Sequence, residues 1–316
     1  MISFTIIVPF YNREAYLLRT LRSIVAQTVR PFQLVLVDNG STDGSAELCK
    51  NFMKQLDKDK GIDASLLFEP LKGAARARNR GLAEAKGDWV HFFDSDDEMS
   101  SDFLEDVSKE IESSSSTCDI VAAATRMVFE NGKEKTRKVF HTTAVTDQIL
   151  TGMLATQGLV VRTELLRDID GWNASIPIWN DWELGIRLLM TKPRLRWIKG
   201  KSYHRIYQHA ESITGESFSS RYDGLKKALV AAQQDIAQLT LPERQYAHTA
   251  LQARISILSG YLRREGDVGK SRDLLMIMEK SSHFSRIFYS FLRNYAASGM
   301  PGAWWLARAI LHHIKL

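Results

Sequence analysis

An α/β fold on a mostly parallel, doubly wound sheet is what this 316-residue sequence predicts, and three observations carry the prediction. Short apolar runs alternate with helical stretches through the first hundred residues. Each run ends in a polar loop of turn-forming residues. The fourth run, Trp89-Val90-His91-Phe92-Phe93, passes straight into Asp94-Ser95-Asp96-Asp97-Glu98. Alternation of this kind lays strands side by side and collects their loops at the carboxyl edge of the sheet, where such folds bind ligands.

Taken in order, Phe4-Thr5-Ile6-Ile7-Val8 is an apolar strand broken by Pro9-Phe10-Tyr11-Asn12, and Leu18, Leu21 and Val25 then fall at helical spacing, with Asn12 as a candidate cap. Gln33 to Val37 is a second strand ending in Asp38-Asn39-Gly40-Ser41-Thr42-Asp43-Gly44, a loop of turn formers that leads to a helix near Ser45 to Leu56. A third strand, Ser65 to Phe68, precedes an alanine- and arginine-rich helix around Lys72 to Gly81, and the fourth strand follows. Beyond Ser100 the alternation loosens. Asp119 to Phe129 reads as a strand, Asn131-Gly132-Lys133 as a hairpin turn, and from about Tyr222 the chain is helical. The expected organisation is a sheet domain over residues 1–215 and a helical C-terminal region over 216–316.

Composition narrows the function classes. The net charge of +5 is mild and comes with no nucleic-acid motif, so no nucleic-acid partner is expected. Cys49 and Cys118 have neither disulfide nor zinc-site spacing and read as buried thiols in a reducing compartment. With no secretory pattern at the start and no apolar run near the roughly 18 residues of a membrane span, the expected location is cytoplasmic. Ile287, Phe288, Phe291, Arg286, Arg293, Trp304, Trp305 and Arg308 could bring the C-terminal helices to the inner face of a membrane, or could pack on this chain or on a second copy of it.

A strand that ends in carboxylates cannot bury them unpaired, and a divalent cation is the natural compensation. An EF-hand is excluded, because the cluster lacks the glycine and distal glutamate of that loop. No Gly-x-Gly-x-x-Gly follows the first strand, which argues against a dinucleotide-dependent oxidoreductase.

Four segments, Val8-Pro9-Phe10-Tyr11-Asn12, Val37-Asp38-Asn39-Gly40-Ser41-Thr42-Asp43, Ala77-Arg78-Asn79-Arg80-Gly81-Leu82 and Phe93-Asp94-Ser95-Asp96-Asp97, together resemble in order and spacing the family-two inverting glycosyltransferases of the GT-A fold, over roughly the first 215 residues. The resemblance implies a hexosyltransferase with a nucleotide-diphospho-sugar donor, UDP-linked, a saccharide or lipid-linked acceptor of a cell-surface glycan pathway, and Mn2+ or Mg2+. Its donor residues would be Pro9, Tyr11, Asp38, Arg78, Asp94 and Ser95, with Asp96 on the metal. Each has a plainer role beside it. Asp38 could simply cap a turn, Arg78 could be an ion-pair partner at the sheet edge, and the acids could be a solvated loop.

The resemblance continues into Trp179-Asn180-Asp181-Trp182-Glu183, where family members commonly carry an acidic pair at a helix start facing the acceptor. Asn180 replaces the first acid, so Asp181 is the candidate general base, with Trp179 and Asn180 on the acceptor side. A capping box from Asn180 to Glu183 would explain the same residues structurally. His209, in Tyr207-Gln208-His209-Ala210-Glu211-Ser212-Ile213-Thr214, resembles the short segment that reaches back to the metal, and His204 is its rival. Two other readings stay open: a sugar-phosphate nucleotidyltransferase, and an inactive nucleotide-sugar binder or assembly protein.

Overall fold

The computed structural model describes residues 2–56, 61–113, 118–137, 141–208, 217–279 and 283–313. It divides into two compact units, Met1–His141 with Leu154–Pro177 and Lys192–Glu211, and Thr142–Met153 with Ile178–Thr191 and Ser212–Leu316. Two helices from the middle of the chain thus belong with the C-terminal ones. The boundary expected at residue 215 lies outside the described residues.

The first unit opens as the apolar runs predict: β1 (Phe4–Phe10), α1 (Glu14–Val25), β2 (Phe32–Asp38), α2 (Ser45–Gln55), β3 (Ile62–Phe68), α3 (Ala74–Ala83) and β4 (Trp89–Phe92). β1 pairs in parallel with β2 and β4, and β2 with β3. β1 and β2 are buried along their whole length, which is why their sequences read as continuous apolar runs. Pro9 is tolerated because β4 pairs with β1 only from Phe4 to Ile7 and has ended at Phe92 before the missing N–H would be needed. Gly81 allows α3 to lie on β1, since a Cβ there would stand 2.4 Å from an Ile7 methyl.

The chain then forms β5 (Glu98–Met99), α4 (Phe103–Glu112), β6 (Ile120–Val128), β7 (Glu134–Thr136), α5 (Val145–Thr151), a 3-10 turn over Thr156–Gly158, β8 (Leu159–Arg162), α6 (Thr163–Asp168), α7 (Asn180–Met190) and β9 (Leu195–Tyr207). Among the described residues the sheet runs β3-β2-β1-β4-β8-β6-β9-β5, with β7 beside β6. Its first half is parallel as expected. The second half is mixed: β8 is antiparallel to β4 and β6, β5 to β9 and β7 to β6, while β6 and β9 are parallel. The β6–β7 pair closes through the Asn131-Gly132 turn, with Gly132 at φ +75°. Both cysteines are buried free thiols.

The second unit comprises α5, α7, α8 (Tyr222–Ile236), α9 (Glu243–Arg264), α10 (Val268–Leu275), α11 (His283–Ala297) and α12 (Ala303–His313). α9 is its axis, buried without interruption from Ala250 to Gly260 and packed by α5, α8, α10, α11 and α12. Gly260 sets the approach of α11, because a Cβ there would fall 2.3 Å from the Arg293 carbonyl oxygen. α5 and α12 are tied by Asp147, fully buried, which accepts from Arg308 Nε (2.7 Å) and Nη2 (3.2 Å) and meets His312 Nε2 at 2.9 Å. No helix among the described residues is long and apolar enough to cross a membrane.

Candidate active site

The loops after β1 and β2 are stitched to each other. Asn12 takes φ +49° and does not cap α1, as its sequence position suggested; its Oδ1 accepts from Thr42 N–H (2.8 Å), and its own N–H donates to Ser41 Oγ (3.1 Å). Asp43 Oδ2 accepts from Glu14 N–H (3.1 Å), and Glu14 Oε2 from Gly44 N–H (2.9 Å). Pro9 and Asp38 are buried at the carboxyl ends of their strands, and Asp38 Oδ1 accepts from Ser41 N–H (2.8 Å). That turn cap occupies one carboxylate oxygen and leaves the second for other chemistry. Tyr11 stands nearly half exposed, with Lys72 Nζ 3.6 Å from its ring centroid, and Lys72 also donates to the carbonyls of Asn39 and Gly40.

β4 stops at Phe92, so Asp94 to Asp97 lie on a turn, and the strand alternation that would put Asp94 and Asp96 on one face does not operate. The acids are tied by side chains from several elements. Asp94 Oδ1 accepts from Arg78 Nη2 (2.8 Å) and Oδ2 from Gln157 Nε2. Asp96 lies 3.4 Å from Arg13 Nε, and its carbonyl accepts from Arg19. Asp97 is buried, with Oδ1 accepting from Tyr207 N–H (2.9 Å) and Oδ2 from Gln157 Nε2 (3.0 Å). Burial, and then the charges of Asp94 and Asp96, push the Asp97 carboxyl well above the usual carboxylate range. Ser95 is buried among them.

Arg78 is a buried cation, pointed at Asp94 by its surroundings. Its guanidinium lies 4.4 Å from the Trp172 ring centroid, and Asn79 clamps Trp172 by accepting from its N–H (2.8 Å) and donating to its carbonyl (2.7 Å). Arg80 pairs with Glu84 on the surface of α3, away from this site.

The acid turn fits a divalent cation in donor chemistry. Asp94 and Asp96 present hard carboxylate oxygens with side chains 31% and 19% exposed. Mg2+-like ions at diphosphates typically take one or two carboxylates and draw their other ligands from water and substrate. No group of three metal-ligating side chains occurs among the described residues. His209 lies outside the described residues. β9 nevertheless delivers Tyr207, two positions earlier, onto Asp97. His204, the rival, is buried between His91, Phe93 and Phe103. Burial and the neighbouring His91 hold it well below the ordinary histidine range, so it is a neutral packing residue. A shallow cavity of about 420 Å³, lined by Ser3, Gln33, Asp63 and Lys86 among others, opens at the amino ends of β1 to β3, the edge opposite these loops.

In the second unit α7 begins at Asn180, with Trp179 in the capping position at φ +58°. The capping box expected from Asn180 to Glu183 is not formed. Asn180 is already helical, and Glu183 is fully buried against Arg187, with Oε1 2.7 Å from Nε and Oε2 2.9 Å from Nη2. Asp181 Oδ1 accepts from Trp182 N–H (2.8 Å) in the first turn. Trp179 and Trp182 face each other at 5.5 Å between centroids.

Sequence reasoning missed Arg13 and Gln157. Gln157 sits in a short turn with no periodicity, and Gly158 beside it is obligatory because a Cβ would lie 2.5 Å from the Ala123 carbonyl oxygen. Neither feature carries a signal in sequence spacing.

Comparison with known proteins places this geometry. An uncharacterized glycosyltransferase of Haemophilus influenzae is 44% identical over 102 residues, 32% of this chain and 39% of that protein. Poly(ribitol-phosphate) beta-N-acetylglucosaminyltransferase TarS of Staphylococcus aureus is 27% identical over 228 residues, 70% of this chain and 38% of its own length. The chain spans between 15 and 39% of the length of the first curated relatives it matches. A TarS structure comprising residues 1–349, solved with UDP and with UDP-GlcNAc, superposes with a TM-score of 0.60 in both, covering 87% of this chain and 90% of that one at 20–21% identity. Mannosyltransferase PcManGT of Pyrobaculum calidifontis, in complex with GDP-Man and Mn2+, superposes at 0.58 over 99% of this chain and 87% of that one, at 17% identity. These superpositions establish the GT-A type of fold. The model of glycosyl transferase family 2 matches residues 5–170, more than half of the sequence, and the chain belongs to that family.

Proposed function

We propose that this chain moves a sugar from a UDP-linked donor to a hydroxyl of a saccharide or lipid-linked acceptor in a cell-surface glycan pathway, with inversion at the anomeric carbon and with Mn2+ or Mg2+. The observation that carries the reading is the acid turn after β4, tied to the buried Arg78 at the same sheet edge as Asp38. The UDP bound by TarS and the Mn2+ bound by PcManGT support it by likeness.

Asp38 would take a base N–H or ribose hydroxyl on its second oxygen, with Pro9 shaping the pocket and the Tyr11 ring offering a face to the base. Asp96 and His209 would hold the cation, with Asp94 and Ser95 binding the donor beside it. When bound, that cation supplies neutralisation of the charge on the departing nucleoside diphosphate. Asp181 would take the proton of the acceptor hydroxyl, with Trp179 and Asn180 on the acceptor side, and a single displacement gives inversion.

A thermal-shift screen of nucleotide sugars with and without Mn2+ tests the donor half, because a ligand that binds only the folded state raises the melting temperature. NMR of the product then reads the anomeric configuration. Absence of any shift with UDP-, GDP- and dTDP-sugars would end the donor assignment, and retention would end the single-displacement mechanism. A nucleotidyltransferase is disfavoured because β1 leads into Tyr11-Asn12-Arg13 rather than a glycine-rich basic loop. An inactive binder would show the shift without turnover. Exposed Ile287 and Phe291, beside exposed Arg286 on α11, support peripheral contact with an anionic lipid surface. Vesicle flotation tests this, and sedimentation tests self-association through the same face.

A further inference from the structure

Arg254 lies mid-way along α9, 7% exposed. Its Nη1 donates to the carbonyls of Ile149 (2.7 Å) and Leu150 (3.2 Å) in the last turn of α5. Its guanidinium carbon stands 4.1 Å from the ring centroid of Trp179, 4.7 Å from that of Trp182 and 4.8 Å from that of Trp304, while Nε has no hydrogen-bond partner. Trp182 reinforces the junction: its Nε1 donates to Ile149 O (3.0 Å), and its carbonyl accepts from Gln148 Nε2 (3.0 Å). The end of α5, the start of α7 and α12 therefore meet on one guanidinium.

A buried cation is costly unless a counter-charge answers it. The acids on the elements around Arg254 are mostly engaged. Asp147 on α5 is held by Arg308 and His312 of α12, and Glu183 on α7 by Arg187. Asp235 of α8, raised by burial and by Glu183, belongs to that same pair. Asp273 of α10 is taken by Lys226. Asp181 is the carboxylate whose field acts on Arg254. Burial pulls the guanidinium down to about 9, and the Asp181 charge opposes that fall.

We propose that Arg254 is a positioning residue for the acceptor base, holding the Trp179–Asp181 turn on α5 and α12 and serving as counter-charge to Asp181. The inference rests on the transferase reading above. It gives the helices after residue 217 a part in catalysis, since α9 supplies the guanidinium and α12 one of the three rings around it.

The test is steady-state kinetics on the full chain for wild type, Arg254→Met, Arg254→Lys and the control Asp147→Asn, with melting temperatures and thermal-shift titration of the donor. Arg254→Met should lower kcat by about 10- to 100-fold with donor KM and donor shift unchanged. Arg254→Lys, which keeps the charge and loses the planar fork, should recover a substantial part of kcat. Asp147→Asn should lower the melting temperature while leaving kcat near wild type. A folded Arg254→Met with wild-type kcat overturns the proposal. So does an Arg254→Lys variant no better than Arg254→Met, or an Asp147→Asn variant that loses kcat equally. If Arg254→Met does not fold, the charge-removing variant Arg254→Gln takes its place: a folded Arg254→Gln with wild-type kcat at a lowered melting temperature means a purely structural role and overturns the proposal. A wild-type chain without transfer, or Asp181→Asn at full rate, overturns the functional reading itself and is recognised before any Arg254 variant is made.

Discussion

The acid turn of the first unit and the acids of the second handle negative charge in opposite ways. On the turn, Asp94, Asp96, Asp97 and Glu98 crowd five residues, and one amide, Gln157, serves two of the carboxylates. Burial, and then repulsion from Asp94 and Asp96, lifts Asp97. In the second unit Asp147 is matched to Arg308 and His312 and Glu183 to Arg187, with Asp235 raised by burial and by Glu183 beside that pair. The difference teaches where to look for function. Asp147 and Glu183 sit on separate helices with cations of their own, whereas on the turn Asp94, Asp96 and Glu98 meet Arg78, Arg13 and Arg205 and Asp97 is buried beside them, and it is this crowding of hard oxygens that suits the cation proposed above.

The comparison is broken most directly by Asp181→Asn, because Asp181 is the second-unit acid given a chemical role. Transfer should fall by about 10²- to 10⁴-fold in kcat with donor binding intact; an unaltered rate would leave the second unit purely structural. Asp147→Ala is the converse. It removes the buried acid that Arg308 and His312 share and should cost about 3–5 kcal/mol of stability by urea unfolding, with the donor shift unchanged. On the acid turn, Asp96→Ala should reduce kcat by roughly 10²- to 10³-fold, and chelation of wild type should reach a similar level. A variant that kept full metal-dependent turnover would remove Asp96 from the metal.

Acid titration sharpens the contrast further. Burial lowers His91 from 6.5 to about 4, and burial with the neighbouring His91 holds His204 well below the ordinary histidine range, so at intermediate pH the unfolded chain binds protons that the folded chain refuses. Their contribution is complete above pH 6.5 and is lost as pH falls toward 4. Urea midpoints should drop across that window, and His204→Phe should flatten the drop; a midpoint independent of pH there would contradict the burial. The smallest effect is expected from Gln157→Ala, about 1–3 kcal/mol in stability from the unmatched partners on Asp94 and Asp97. An equal loss in the double variant Gln157→Ala, Asp97→Asn would mean that the bridge to Asp97 contributes nothing.

Where the proposed donor residues stand in the fold was legible in the sequence. Pro9, Asp38, Arg78 and Asp94 each stand at a strand end or on a helix that apolar spacing had already located. The plainer roles of Asn12 and Asn180 as caps are not realised for one reason: a cap is suggested by residue type and position, yet whether it forms depends on backbone angles, and here Asn12 and Trp179 take positive φ. The mixed half of the sheet was hidden because β8 and β9 find partners far away in the chain.

By itself the sequence determined the order of the first four strands and their helices, the loops that end those strands and the run of acids after β4, because hydrophobic period and turn chemistry are local properties. Only tertiary structure decided which acid is buried, that Arg13 meets Asp96, that Trp172 backs Arg78, that α5 and α7 join the C-terminal helices, and that three tryptophans close on Arg254. Those outcomes depend on distances between residues tens to more than a hundred positions apart, which no local pattern encodes.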